Sequence, residues 1–161
     1  MQVVPGKNYF ELFGLPVSFE VDISSLRERY RDLQRSAHPD RFANASDRER
    51  RLSMQQASLI NEAHRALKDP LQRARYLLSL HGIDINDESN TVMDGMFLME
   101  QMELREELDA ISGKGEPLAA LAEFTASIES RISERVQKLT DLFTDVNDQN
   151  LHQAHSLSLT V

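Results

Sequence analysis

The tripeptide His38-Pro39-Asp40 sets an imidazole and a carboxylate on either side of a ring that locks its own φ. Such a pair offers a donor and an acceptor to a partner at little ordering cost. By itself the same tripeptide is more often an ordinary turn. Ahead of it stand Arg27, Tyr30 and Arg31, at i, i+3 and i+4, which puts them on one helical face. Arg29 and Arg35 add charge nearby, as rim groups of small individual effect. A cationic row of this kind steers onto an acidic surface and raises the association rate. Tyr30 also lies in its helix's apolar stripe, so packing and docking both claim it.

The remaining reactive side chains form weaker sets. His152 and His155 are spaced i, i+3, but no third ligand is near in sequence, so surface polar residues are the better reading. Glu106 and Glu107 are adjacent on a helix and point about 100° apart, so they do not converge. His64 and His81 read as structural. There is no cysteine, which excludes disulfides, thiolate metal sites and cysteine nucleophiles. No phosphate-binding loop, Walker lysine or nucleophile–base motif is present. The expectation is a non-enzyme without cofactor or metal.

Length and charge bound the rest. The chain has 161 residues with 40% apolar and 27% charged side chains, enough for one ordinary domain or two small ones. Its formal charge of −8 gives it no general attraction for nucleic acid or anionic lipid. That charge is uneven. Residues 1–70 carry 11 Lys/Arg against 10 Asp/Glu, and residues 71–161 carry 7 against 16. Two surfaces for two partners, or two solvated faces, both fit this asymmetry. Apolar runs fall far short of a membrane span, and the start lacks a hydrophobic signal region, which reads as a soluble, cytoplasmic protein.

The elements that must position these groups are helical. Asn8 to Phe13 is a short apolar segment stopped by Gly14-Leu15-Pro16. Asp22 caps a helix whose stripe is Ile23, Leu26, Tyr30 and Leu33, and Pro39 ends it. Ser46 and Glu49 form a capping box before a stripe of Ala57, Ile60, Ala63 and Leu67. Pro70 opens a further helix that ends at His81-Gly82. The polar stretch Asp84 to Asn90 reads as a module boundary. A helix follows from about Thr91 to Ile111, then Gly113-Lys114-Gly115, then a long helix opened by Pro117. Leu118, Leu121, Thr125, Ile128, Ile132, Val136, Leu139 and Phe143 keep 3/4 spacing along it, the pattern of a packed antiparallel partner. Asp145 to Asn150 reads as a polar loop, and Leu151 to Val161 as a short Ser/Thr-rich end. The fold class expected is all-α.

The Thr91–Ile111 helix has two apolar faces. Met93, Phe97, Leu104, Leu108 and Ile111 share one stripe. Leu98, Met99 and Met102 lie roughly 110–150° or more from its centre, beside Glu103 and Glu106. Periodicity alone leaves open whether the second face is buried in a bundle or exposed as a Met/Leu patch for a partner.

Taken together, Tyr9-Phe10, Leu12-Phe13-Gly14-Leu15, the Arg27/Tyr30/Arg31 face, His38-Pro39-Asp40, Ile60-Asn61-Glu62-Ala63-His64 and Ala66-Leu67-Lys68-Asp69-Pro70 resemble a J-domain. The agreement covers about 65 residues in the right order. The resemblance implies a co-chaperone that activates a DnaK-type ATPase, with His38, Pro39, Asp40, Arg27, Tyr30 and Arg31 as the chaperone-binding residues. Tyr76-Leu77-Leu78-Ser79-Leu80-His81-Gly82 and Phe97-Leu98-Met99-Glu100-Gln101-Met102-Glu103-Leu104 are similar to the HscB family of iron–sulfur cluster biogenesis. That resemblance implies the chaperone HscA and the scaffold IscU as partners. Leu98, Met99, Met102, Glu103 and Glu106 then match its scaffold-binding positions. Ala110 stands where the family often has an acidic residue.

The resemblance implies a J-domain over 1–75, a connecting helix and linker over 76–87, and a C-terminal helical bundle over 88–161. It fades after Phe143, so the expectation is a bundle lacking its full last helix. The rival readings are a general J-domain protein serving another client, and a purely structural helical adaptor.

Overall fold

The structure, a computed structural model, describes residues 7–38, 46–83, 95–111, 113 and 115–159. The described residues form seven helices and no strand: α1 (Tyr9–Leu12), α2 (Ile23–Ala37), α3 (Asp47–Lys68), α4 (Pro70–Leu80), α5 (Gly95–Ile111), α6 (Pro117–Thr144) and α7 (Asp148–Ser158). The all-α expectation holds.

Helix ends follow from side-chain chemistry. Asn8 Oδ1 accepts from the Glu11 amide at 2.9 Å and Glu11 Oε2 accepts from the Asn8 amide at 3.2 Å, a capping box on α1. Gly14 then closes the turn at φ 61°, with Leu15 N donating to Phe10 O at 2.9 Å. A Cβ there would sit 2.6 Å from Arg29 Nη1, so glycine serves both the backbone and the close approach. Asp22 caps α2 as expected, Oδ1 accepting from Ser24 N at 2.9 Å. The Ser46/Glu49 capping box on α3 is present in both directions. Hydrogen bonds to their charged forms, led by those from Ser25 and Ser46, hold the Asp22 and Glu49 carboxyls below the usual carboxylate range. Pro70 is the first residue of α4, and Gly82 at φ 78° ends that helix with Ile83 N donating to Leu78 O at 3.0 Å.

The chain divides into two units, residues 1–77 and 78–161. In the first, α2 and α3 pack as an antiparallel pair around Leu26, Leu33, Ile60, Ala63 and Leu67, all buried, with Phe10 of α1 fully buried beside them. Tyr9 and Tyr76 stack with ring centroids 4.2 Å apart, and Tyr76 Oη accepts from the Tyr9 amide at 2.9 Å. Burial pushes the Tyr76 phenol up. Arg73 is buried yet productive: Nη1 donates to Leu67 O at 2.6 Å, and its guanidinium lies 4.9 Å from the centroid of Phe19. Burial lowers its pKa from the usual arginine value.

In the second unit α6 packs on both α5 and α7. Two differences from the sequence expectation appear here. A helix, α7, begins at Asp148 inside the expected polar loop, because Asn147 Oδ1 caps it by accepting from Asn150 N at 2.9 Å. Leu151, Ala154 and Ser158 are its buried side. Second, only Leu139 and Leu142 of α6 are buried, while Leu118 is 84% exposed. Eleven residues of α7 span about 16 Å and the 28 of α6 about 42 Å, so α7 covers only part of the stripe.

Candidate functional site

The first candidate face is built on α2, whose N-terminal end is fixed by the Asp22 cap. Arg27 and Arg31 are exposed and form no hydrogen bond or ion pair among the described residues. Their charges therefore face solvent, available to a partner. Arg29 differs from the expected rim charge. Its Nη1 donates to Phe13 O at 2.6 Å and Gly14 O at 2.8 Å, tying α2 to the turn after α1. Arg35 pairs with Asp32 at 3.4 Å on the open surface.

Tyr30 packs as its place in the apolar stripe suggested. It is half-buried, its ring stacked on His64 of α3 with centroids 3.9 Å apart and planes 18° off parallel. Its hydroxyl donates to Asn61 Oδ1 at 3.0 Å, and Gln34 Nε2 donates to the same oxygen at 2.7 Å. His64 and Asn61 were not singled out for this from sequence; their i, i+3 spacing beside the buried Ile60 was the available signal. Burial first, then the charges of Lys68 and Arg27, lower the pKa of His64 below the usual imidazole range.

His38 follows α2 in extended backbone, at φ −62° and ψ 127°, as a residue before proline requires. It is exposed and lines a surface groove with Arg31, Gln34 and Arg35. The structure thus brings His38 and Arg31 to one groove, with Arg27 and Tyr30 on the same helix. Pro39 and Asp40 lie outside the described residues.

The second candidate face is on α5. Phe97 and Leu104 are half-buried and Ile111 is buried, while Leu98, Met99 and Met102 are 42%, 64% and 64% exposed. Of the two readings that periodicity left open, exposure is the observed one. Glu103 and Glu106 are exposed on the same helix. Glu100 turns to α6 instead, paired with Arg135 at 2.5 Å and Arg131 at 3.4 Å. Met93 lies outside the described residues. His152 bonds back to its own helix, Nδ1 lying 2.7 Å from Asp148 O. Among the described residues no group of three His, Asp or Glu side chains could hold a metal ion, and no helix is long and apolar enough to cross a membrane.

Comparison with known proteins assigns both faces to matched regions. Residues 8–76 match the DnaJ domain, and residues 93–158 match the HSCB C-terminal oligomerisation domain. The chain is 56% identical over 121 residues to a co-chaperone protein HscB homolog of Vibrio cholerae serotype O1, covering 75% of this chain and 71% of that one. It is 43% identical over 150 residues to the homolog of Shewanella woodyi, covering 93% and 86%. Among solved structures, chaperone HscB from Vibrio cholerae superposes with a TM-score of 0.87 at 44% identity, covering 96% of this chain and 88% of that one. Human co-chaperone protein HscB superposes with a TM-score of 0.83 at 33% identity, covering 98% and 77%. With both family regions matched and close relatives aligned over most of their length, the chain belongs to the HscB family of J-domain co-chaperones.

Proposed function

We propose that this co-chaperone stimulates the ATPase of the DnaK-type chaperone HscA and delivers the iron–sulfur scaffold IscU to it, in the cytoplasm. The observation that supports this best is the pair of unlike surfaces: a solvent-facing cationic row leading to His38, and a Leu/Met patch rimmed by glutamates on another helix. One suits an acidic chaperone surface; the other suits a protein client with apolar groups.

In this reading residues 1–75 are the docking module, 76–87 the connection and 88–161 the scaffold-binding bundle. Arg27, Tyr30 and Arg31 seat the module on the ATP-bound chaperone. His38, Pro39 and Asp40 couple that docking to hydrolysis inside the partner, and no bond is made or broken in this chain. Leu98, Met99, Met102, Glu103 and Glu106 hold the scaffold. Joining the two modules raises the scaffold's effective concentration at the chaperone without any new contact.

The test is the ATPase rate of HscA with and without this protein and IscU. Stimulation by the wild type, lost in His38→Gln while scaffold binding persists, is the expected result. Full stimulation by His38→Gln would overturn the assignment. Stimulation unaffected by IscU, with no scaffold bound, would move the protein to another client.

A further inference from the structure

We infer, resting on the docking reading above, that Asn61 and His64 of α3 are positioning residues for chaperone docking, which fix Tyr30 on the face that meets the partner. Tyr30 is held at two points. His64 supports its ring, and Asn61 Oδ1 accepts a hydrogen bond from its hydroxyl while also accepting from Gln34. A phenol on an otherwise open helix face has free rotamers to lose on binding; here that freedom is removed in advance. The hydroxyl oxygen keeps acceptor capacity for a partner.

The surroundings of His64 favour the neutral ring: burial first, then the charges of Lys68 on the same helix and of Arg27 on α2, disfavour its protonated form. A neutral imidazole stacked on the phenol brings no charge to desolvate when a partner covers it. On the side of α3 that meets α1, Glu62 is engaged by Tyr9, whose hydroxyl donates to Oε1 at 2.8 Å.

The experiment titrates the protein into HscA ATPase assays at pH 7.5 and reads half-maximal concentration and maximal stimulation separately. His64→Ala should raise the half-maximal concentration about threefold to tenfold, the range expected for an aromatic pair, with the maximum unchanged. His64→Phe, which keeps a ring to stack on Tyr30, should restore wild-type docking. Asn61→Ala should behave like His64→Ala. Circular dichroism checks that each variant is folded, and His64→Phe keeps the test open if His64→Ala is not. By NMR the His64 ring protons should be shifted upfield in the wild type and return toward ordinary values in Tyr30→Leu. An unchanged half-maximal concentration in folded His64→Ala, or a loss in His64→Phe as large as in His64→Ala, would overturn the inference. Absence of stimulation by the wild type would sink the docking reading, and this one with it.

Discussion

In residues 1–77, side chains reach backbone carbonyls of another segment: Arg29 bonds Phe13 and Gly14, Ser53 bonds Ala37 at 3.2 Å, and Arg73 bonds Leu67. Residues 78–161 hold α5 to α6 differently, through surface pairs of Glu100 with two arginines. The first unit buries Phe10, Phe13 and Phe19; the second buries no aromatic side chain among the described residues. The two units thus present their candidate residues on unlike frames. The docking face proposed for α2 depends on geometry, and its helices are tied by side chains to backbone. An apolar patch works through area, and flexible methionines suit a partner whose shape they must follow.

The widest gap between the units should appear when the same chemical change is made in each. Leu67→Ala deletes a fully buried side chain and should destabilise the first unit by about 2–5 kcal/mol in denaturant unfolding. Met99→Ala removes a largely exposed one and should stay within about 0.5 kcal/mol. Equal losses would mean that the α5 face is covered rather than open.

Next in size is a change of binding without a change of fold. The triple variant Leu98→Ala, Met99→Ala, Met102→Ala should weaken scaffold binding measured by calorimetry about tenfold or more, or about 1.4 kcal/mol. Its basal stimulation of the chaperone should survive, because the proposed docking face is on α2. Scaffold affinity equal to wild type would remove the patch from the proposed function.

A smaller effect is expected at the tie between α5 and α6. Glu100→Gln keeps the shape and removes the charge facing Arg131 and Arg135. Such partly exposed pairs contribute about 1 kcal/mol or less, and the loss should shrink in high salt. A salt-independent loss would show that hydrogen bonding rather than charge holds the pair.

Much of this organisation is legible in the residues themselves, and the exceptions have physical causes. The Asp22 cap, the Ser46/Glu49 box, Pro70 at a helix start and the stripe of Ile60, Ala63 and Leu67 depend on local spacing, so they emerge where expected. Arg29 does not, because its partners are carbonyls of a turn that local pattern cannot place beside α2. The Tyr30–His64 stack likewise needs the α2/α3 register. At the other end, the spacing of Leu151, Ala154 and Ser158 was available, but polar composition hid the helix they belong to. On α6 the stripe forecasts burial along its length, whereas burial depends on how far the neighbouring helix extends.

The smallest effect tests how α1 is fastened to its unit. Tyr9 is stacked on Tyr76 and donates its hydroxyl to Glu62. Burial first, then that bond and the Glu62 charge, push its phenol from 10.0 up to about 12. Because the folded state holds the proton longer than the unfolded chain, the associated stability is fully present below pH 10 and is lost as pH rises from there through about 12. Absorbance at 295 nm should show a phenol ionising well after the ordinary value, and Tyr9→Phe should remove the step near 12 while leaving the raised step of Tyr76. Glu62→Gln should move it to lower pH without abolishing it, since burial is the larger cause. A native protein whose phenols all ionise together near 10 would mean that α1 is not held against α3, and the contrast between the two ways of fastening helices would lose its N-terminal half.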